Sequence, residues 1–230
     1  MVKLNVLKWG NKYDSQYVNR LYTLITKNLD IPFQLTVWTD DTKGLTTEIE
    51  HRDIKELRPY DTERMFTYEK LMLINRDESE VNGWLDLDIH INANITELIT
   101  RPHPNITFIW NHWNDFRDMS LRPYGKGSSC HVNSSFVFWD KGKATWLREY
   151  TEEHWEKIAW TYKSLDKYLF YQHARNNRLS FWGEGLFSNY NVDGLGGKVT
   201  LFNTSHLYNN KISVYKKHYE LHETDLFLAY

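Results

Sequence analysis

Through the first half of the chain, short apolar runs of strand character alternate with amphipathic runs of helical spacing. This alternation is the strongest constraint on the fold, because βαβα order leads to a mostly parallel sheet covered by helices. Residues 4–9 open as a strand. In residues 15–28, Val18, Leu21, Tyr22 and Ile25 recur at helical spacing, with Asp14 or Ser15 placed to cap the helix. Pro32 ends that region, and residues 33–39 form a second strand closed by Asp40, Asp41 and a Gly44 turn. Residues 46–52 suggest a third strand, and residues 62–75 carry a helical stripe of Met65, Tyr68, Leu71, Met72 and Ile74. Further strands are expected at 107–110, 133–139, 181–190 and 198–203, and further helices at 143–158 and 166–175. Residues 124–129 read as a loop, and no internal repeat or linker divides the chain.

A chain of 230 residues can bury a sizeable core and suits one α/β domain spanning 1–230. A net charge of −2 lacks the basic footprint of a nucleic-acid binder, so no nucleic-acid partner is expected. Cys130 is the single cysteine and excludes an intrachain disulfide. No window approaches the ~20 apolar residues of a membrane span, and residues 1–10 show no signal-peptide core. The expected location is therefore the cytoplasm. With 10 Trp, 15 Tyr and 11 Phe, the chain is rich in rings that can serve a core or offer stacking faces.

The chemistry concentrates in Trp84-Leu85-Asp86-Leu87-Asp88-Ile89, where two acids flank one apolar residue at the end of an apolar run. On a strand, positions i and i+2 point to one side, and a turn at the strand's end can also aim both carboxylates outward. Open α/β sheets bind ligands beyond the carboxyl ends of their strands. Two hard oxygen ligands there suit Mn²⁺ or Mg²⁺, which leave positions for phosphate oxygens. Such a cation stabilises a diphosphate leaving group.

These residues, with others in order along the chain, resemble the GT-A-fold glycosyltransferases, most closely the branch of glycogenin, the lipopolysaccharide galactosyltransferases and related phage and bacterial enzymes. The resemblance runs from about Val6 to about His206. It implies a single Rossmann-like domain with a nucleotide-binding half at about 1–100 and an acceptor-side half at about 101–230. It implies that Lys8, Trp9 and the following loop hold the nucleoside of a nucleotide sugar, that Tyr13 stacks on the base, and that Asp40 borders base and ribose. Lys70 in Tyr68-Glu69-Lys70-Leu71 matches a family cation close to the donor. Asp86 and Leu87 would contact the donor, and Asp86 and Asp88 the metal. Asn133-Ser134-Ser135 resembles the family's Asn-Ala-Gly or Asn-Ser-Gly segment along the donor sugar, with Ser135 in place of the usual Gly. Asp166 resembles the acid near the anomeric carbon, and Glu184 competes with it for that role. Asn203 or His206 would supply the third metal ligand, in a late segment lacking the family's Gly and Lys-Pro. The resemblance implies a retaining transferase that takes a sugar, with UDP the favoured carrier, to a saccharide or lipid-linked acceptor.

Two alternatives stand beside this reading. A nucleotide-sugar-binding protein of the same fold that has lost activity would keep the loop and the acids. A phosphotransferase of the haloacid-dehalogenase type also uses Asp-X-Asp, but needs its nucleophilic Asp at the end of the first strand, long before residue 86.

Overall fold

The first strand, β1 (Val2–Lys8), is buried along its whole length, and the sheet is built outward from it. The computed structural model describes residues 1–57, 66–76, 79–113, 130–162 and 164–202. On one side β1 pairs in parallel with β2 (Phe33–Thr39), which pairs in parallel with β3 (Glu50–Asp53). On the other side β1 pairs in parallel with β4 (Val81–Leu85). β4 pairs antiparallel with the long β7 (Val132–Asp140), which pairs antiparallel with β6 (Thr107–Trp110). β8 (Ser180–Phe181) closes the edge in parallel with β6. The order is β3-β2-β1-β4-β7-β6-β8, with β7 running against the other strands. A second, three-stranded sheet is made of β5 (Ile89–Ile91), β10 (Val199–Leu201) and β9 (Phe187–Asn189), with β10 in the middle.

Both faces of the large sheet are covered. Helix α1 (Ser15–Asn28) lays Val18, Leu21, Leu24 and Ile25 over Leu4, Val6, Leu35 and Val37, and the short α3 (Thr96–Thr100) adds Leu98 and Ile99 to the same cluster. Asp14 caps it, accepting from the Gln16 N–H at 3.0 Å. The opposite face packs Trp38, Trp84, Trp139 and Phe108 against α2 (Glu69–Met72), α4 (Thr145–Glu153) and α6 (Leu165–Tyr168). A strand with a filled layer on each side must be apolar or internally satisfied. Asn5 in β1 illustrates the second case: it donates to the Gly83 carbonyl at 3.2 Å and accepts from the Trp38 indole at 3.0 Å. The chain is thus an α/β protein with a mostly parallel seven-stranded sheet flanked by helices, and no described helix is long and apolar enough to cross a membrane.

The expected elements recur with four differences. The helix expected at 62–75 has one α-helical turn, α2, between 3₁₀ segments Phe66–Tyr68 and Leu73–Arg76, while 62–65 lie outside the described residues. All four α2 residues are buried, so packing on every side, not an amphipathic stripe, sets its conformation. The helix expected at 143–158 divides at His154 into α4 and α5 (Trp155–Thr161). The helix expected at 166–175 begins as α6, passes through a π-helical stretch Leu169–His173, and ends as a 3₁₀ turn. The strand expected at 181–190 separates into β8 and β9 around a turn that uses Gly185 at φ +75°. The loop expected at 124–129 lies outside the described residues.

Gly83 lets β4 lie against β7. A Cβ there would stand 2.7 Å from both the Phe138 ring and the Val137 carbonyl, closer than real Cβ contacts allow. Gly83→Ala should therefore cost about 1–3 kcal/mol through overpacking. Urea denaturation reads this as a lowered midpoint at constant slope, and an unchanged midpoint would refute the tight β4–β7 packing.

Candidate functional site

Asp86, Leu87 and Asp88 form the joint between the two sheets. The Asp86 N–H donates to the Ser135 carbonyl at 2.8 Å, adding one rung to the β4–β7 ladder. The Phe202 N–H donates to the Asp88 carbonyl at 3.2 Å, adding one rung to the β5–β10 ladder. Leu87 between them is buried in the core with α1 and Phe136. The apolar residue of the motif is therefore an anchor, and the acids on either side are held where the chain leaves one sheet and enters the next. The register that pairs Val6 with Leu85 brings the loop after β1 alongside this joint.

A cleft of about 270 Å³ opens there, lined by Leu7, Trp9, Lys12, Tyr13, Thr67, Lys70, Asp86, Leu87 and Asp88. Lys70 projects from α2, almost wholly buried, and bridges two elements: it forms an ion pair with Asp86 Oδ1 and donates to the Ser134 carbonyl at 3.2 Å. The Ser134 carbonyl also accepts from the Trp84 indole at 2.8 Å. Ser135 donates its hydroxyl to Asp86 Oδ2 at 2.8 Å. Ser135 thus holds the first acid of the motif. Asn133 turns its side-chain oxygen back to the Ser135 N–H at 2.9 Å, in the stretch of β7 where the β6–β7 register shifts.

Asp166, at the start of α6, accepts from the Ser134 N–H at 3.1 Å. It keeps some exposed surface, but the surrounding protein pushes its carboxyl above the ordinary aspartate value. The Ser134 hydrogen bond and Lys70 act in the opposite direction, and Asp86 adds to the rise. Asp86, Lys70, Ser134 and Asp166 therefore form one connected polar line. Neither Asp166 nor Glu184, the competing acid, is among the residues lining the cleft, and Glu184 lies on the exposed turn between β8 and β9.

At the other end of the cleft, the Tyr13 hydroxyl donates to Asp88 Oδ2 at 3.0 Å. The Lys12 ammonium stands 4.9 Å from the Tyr13 ring centroid. Burial holds the Lys12 pKa below the ordinary lysine value, with Asp86 pulling it back up. Lys12 lies in the loop after β1 that was expected to hold the nucleoside but was not singled out there, and Thr67, in the 3₁₀ turn before α2, was not legible as a site residue. Trp9 lines the cleft. Lys8 and Asp40 stand outside its lining. Lys8 is buried and donates to the Asp41 carbonyl at 3.3 Å, and Asp40 accepts from the Gly10 N–H at 2.9 Å. Both brace the loop that carries Trp9 and Tyr13. His90 lies in β5, His112 pairs with Asp193 at 3.4 Å, and His131 contacts the Asn111 carbonyl at 3.1 Å. Asn203 and His206 lie outside the described residues.

Among the described residues no group of three His, Cys, Asp or Glu is placed to hold a metal. Two carboxylates in one cleft still fit the hard-oxygen donor set of Mn²⁺ or Mg²⁺, cations that bind through one or two carboxylates and take further oxygens from phosphates and water. A carboxylate offers about four lone-pair sites, so the contacts of Asp86 with Lys70 and Ser135 are compatible with an added cation. No protein-family model and no curated protein matches the chain.

The raised pKa of Asp166 has a stability consequence. A carboxyl that ionises later in the folded state than in the unfolded state lends stability below its unfolded pKa, and that stability is lost as pH rises through the folded pKa. Asp166→Asn, which keeps an oxygen for the Ser134 N–H, should raise the melting temperature at pH 7. That gain should shrink as pH falls towards the ordinary aspartate value of 3.8. A melting temperature that drops at pH 7 would contradict the burial cost assigned to this acid.

Proposed function

We propose that the protein is a metal-dependent glycosyltransferase of GT-A type that transfers a sugar from a nucleoside-diphosphate sugar, with UDP the favoured carrier, to a saccharide or lipid-linked hydroxyl. The observation that carries this reading is the single cleft that holds Tyr13, Lys12, Lys70, Asp86 and Asp88 at the carboxyl ends of β1 and β4. That edge is where open α/β sheets bind nucleotides.

The residues divide the work along the cleft. Trp9 and Tyr13 offer ring surface to the base, a contact worth roughly 1–3 kcal/mol per stacked base. Lys12 and Lys70 bring two positive charges to the diphosphate. Asp86 and Asp88 would hold the divalent cation, with Asn203 or His206 as a further ligand, and that cation supplies Lewis-acid stabilisation of the departing phosphate. Lys70 serves two purposes, because the ammonium that faces the phosphates also fixes the Ser134 carbonyl. Asp166, outside the cleft's lining but tied to the same segment through the Ser134 N–H, is the acid assigned to the transferred sugar. A carboxylate there orients sugar hydroxyls. In a retaining transfer the leaving phosphate can accept the proton of the acceptor hydroxyl, so a separate base is not needed.

A screen of UDP, GDP and their sugars, with and without Mn²⁺, should find a nucleotide that raises the melting temperature more with the metal than without it. Asp86→Asn and Asp88→Asn should each lower donor turnover by about 100-fold or more, the scale set by losing one electrostatic contact to the departing group. Proton NMR of the product should show a retained anomeric configuration. Metal-dependent nucleotide binding without hydrolysis or transfer would favour a binding protein over an enzyme, and binding by neither base would remove the donor reading.

A further inference from the structure

Outside the cleft, the described residues present one exposed indole on the same edge of the sheet. Trp110 is the last residue of β6 and keeps 37% of its surface open, whereas the three residues before it are buried. The His131 ring lies nearly parallel to it, with centroids 4.7 Å apart and planes 12° apart. Phe181 meets it edge to face at 5.0 Å, and Phe170 packs beside both at 6.2 Å from Trp110 and 5.6 Å from His131. His131 is itself held by the Asn111 carbonyl. The indole is therefore braced by three neighbouring rings, a degree of ordering that an isolated surface aromatic lacks.

Its position relative to the cleft follows from register. Trp110 pairs with Val132 across the β6–β7 ladder. Ser134 is the diagonal neighbour two residues on, and such neighbours lie about 7–8 Å apart. The Ser134 N–H binds Asp166, and the Ser134 carbonyl binds Lys70, which is paired with Asp86. Phe170 sits four residues after Asp166, on the π-helical stretch that follows α6. Stretches of this kind recur at functional sites. The backbone at the end of β6 is held as well, because the His112 main-chain N–H donates to the Trp110 carbonyl at 3.0 Å.

The geometry points to Trp110 as a stacking platform for a pyranose ring of the acceptor. A pyranose has an apolar C–H face and a rim of hydroxyls. The indole surface left open by its three bracing rings complements the C–H face. The sequence along the sheet edge is then nucleoside at Tyr13, diphosphate at Lys70 and Asp86, transferred sugar at Asp166, and acceptor sugar at Trp110. The platform rests on the donor reading only for its assignment to the acceptor.

Saturation-transfer NMR on the full chain, with the methyl glycosides of glucose, galactose, mannose and N-acetylglucosamine as probes, tests it. At least one glycoside should receive saturation at the protons of one ring face. Trp110→Ala should weaken that binding by about tenfold, the scale of a lost aromatic contact. Trp110→Phe should retain it in part, and Trp160→Ala, at a fully separate exposed indole, should leave it unchanged. Should Trp110→Ala fail to fold, Trp110→Leu keeps apolar volume and removes the ring, and the same loss is expected. Absence of binding by every glycoside, or binding unchanged in both the Ala and the Leu variants, overturns the platform. The UDP melting shift, measured on the same samples, keeps the two readings apart. Trp110-dependent glycoside binding with no UDP shift supports the platform while the donor reading falls. A UDP shift with glycoside binding indifferent to Trp110 does the reverse.

Discussion

Burial of Leu87 is the constraint on which the site depends. It sits in the core among apolar side chains of the α1 layer, and the peptide groups on either side of it are claimed by different sheets. Burying a leucine contributes about 1.5–3 kcal/mol, and here that burial also fixes the direction of the chain as it passes between ladders. Asp86 and Asp88 cannot shift along the chain without losing a backbone hydrogen bond at one end or the other. The two carboxylates are therefore placed by the fold, independently of any ligand, which is the preorganisation a charged substrate requires.

A second set of contacts carries that order sideways. Lys70, Ser134 and Ser135 join α2 to the start of β7, and Ser134 passes the connection to Asp166. Two of these contacts use backbone groups, so they depend on the register of β4 against β7 more than on side-chain identity. The close approach of β7 at Gly83 sets that register. The result is a cleft whose charges are arranged in opposed pairs, with Lys70 against Asp86 and Lys12 near both Asp86 and the Tyr13 ring. A diphosphate with its cation can enter such an arrangement by exchanging partners, with no isolated charge left buried.

The parts legible from sequence were those decided locally. Helix α1 and strand β2 begin and end where periodicity, Asp14 and Pro32 place them. The pairing of Asp86 with Asp88 followed from two acids around one apolar residue. What could not be read is what long-range register decides. Ser135 stood out only as a departure from the glycine of the motif that the segment resembles, yet its hydroxyl reaches back 49 residues to Asp86. Lys12 precedes the expected Tyr13 and looks like any surface lysine until β1 lies beside β4. The resemblance put Asp166 before Glu184, and the fold adds that Asp166 is joined to Ser134 while Glu184 lies on an exposed turn. The helix at residues 69–72 lost its stripe because packing surrounds it.

The central claim is that Asp86 and Asp88 together form a cation site that a nucleoside diphosphate completes. Electron paramagnetic resonance of Mn²⁺ tests it without any assay of turnover, because the sharp six-line signal of the free ion is lost on binding. With UDP present, the protein should remove the free-ion signal in proportion to its concentration, beyond what UDP removes alone. Asp86→Asn and Asp88→Asn should restore it. A free-ion signal that the wild-type protein leaves unchanged in the presence of both UDP and GDP would contradict the account.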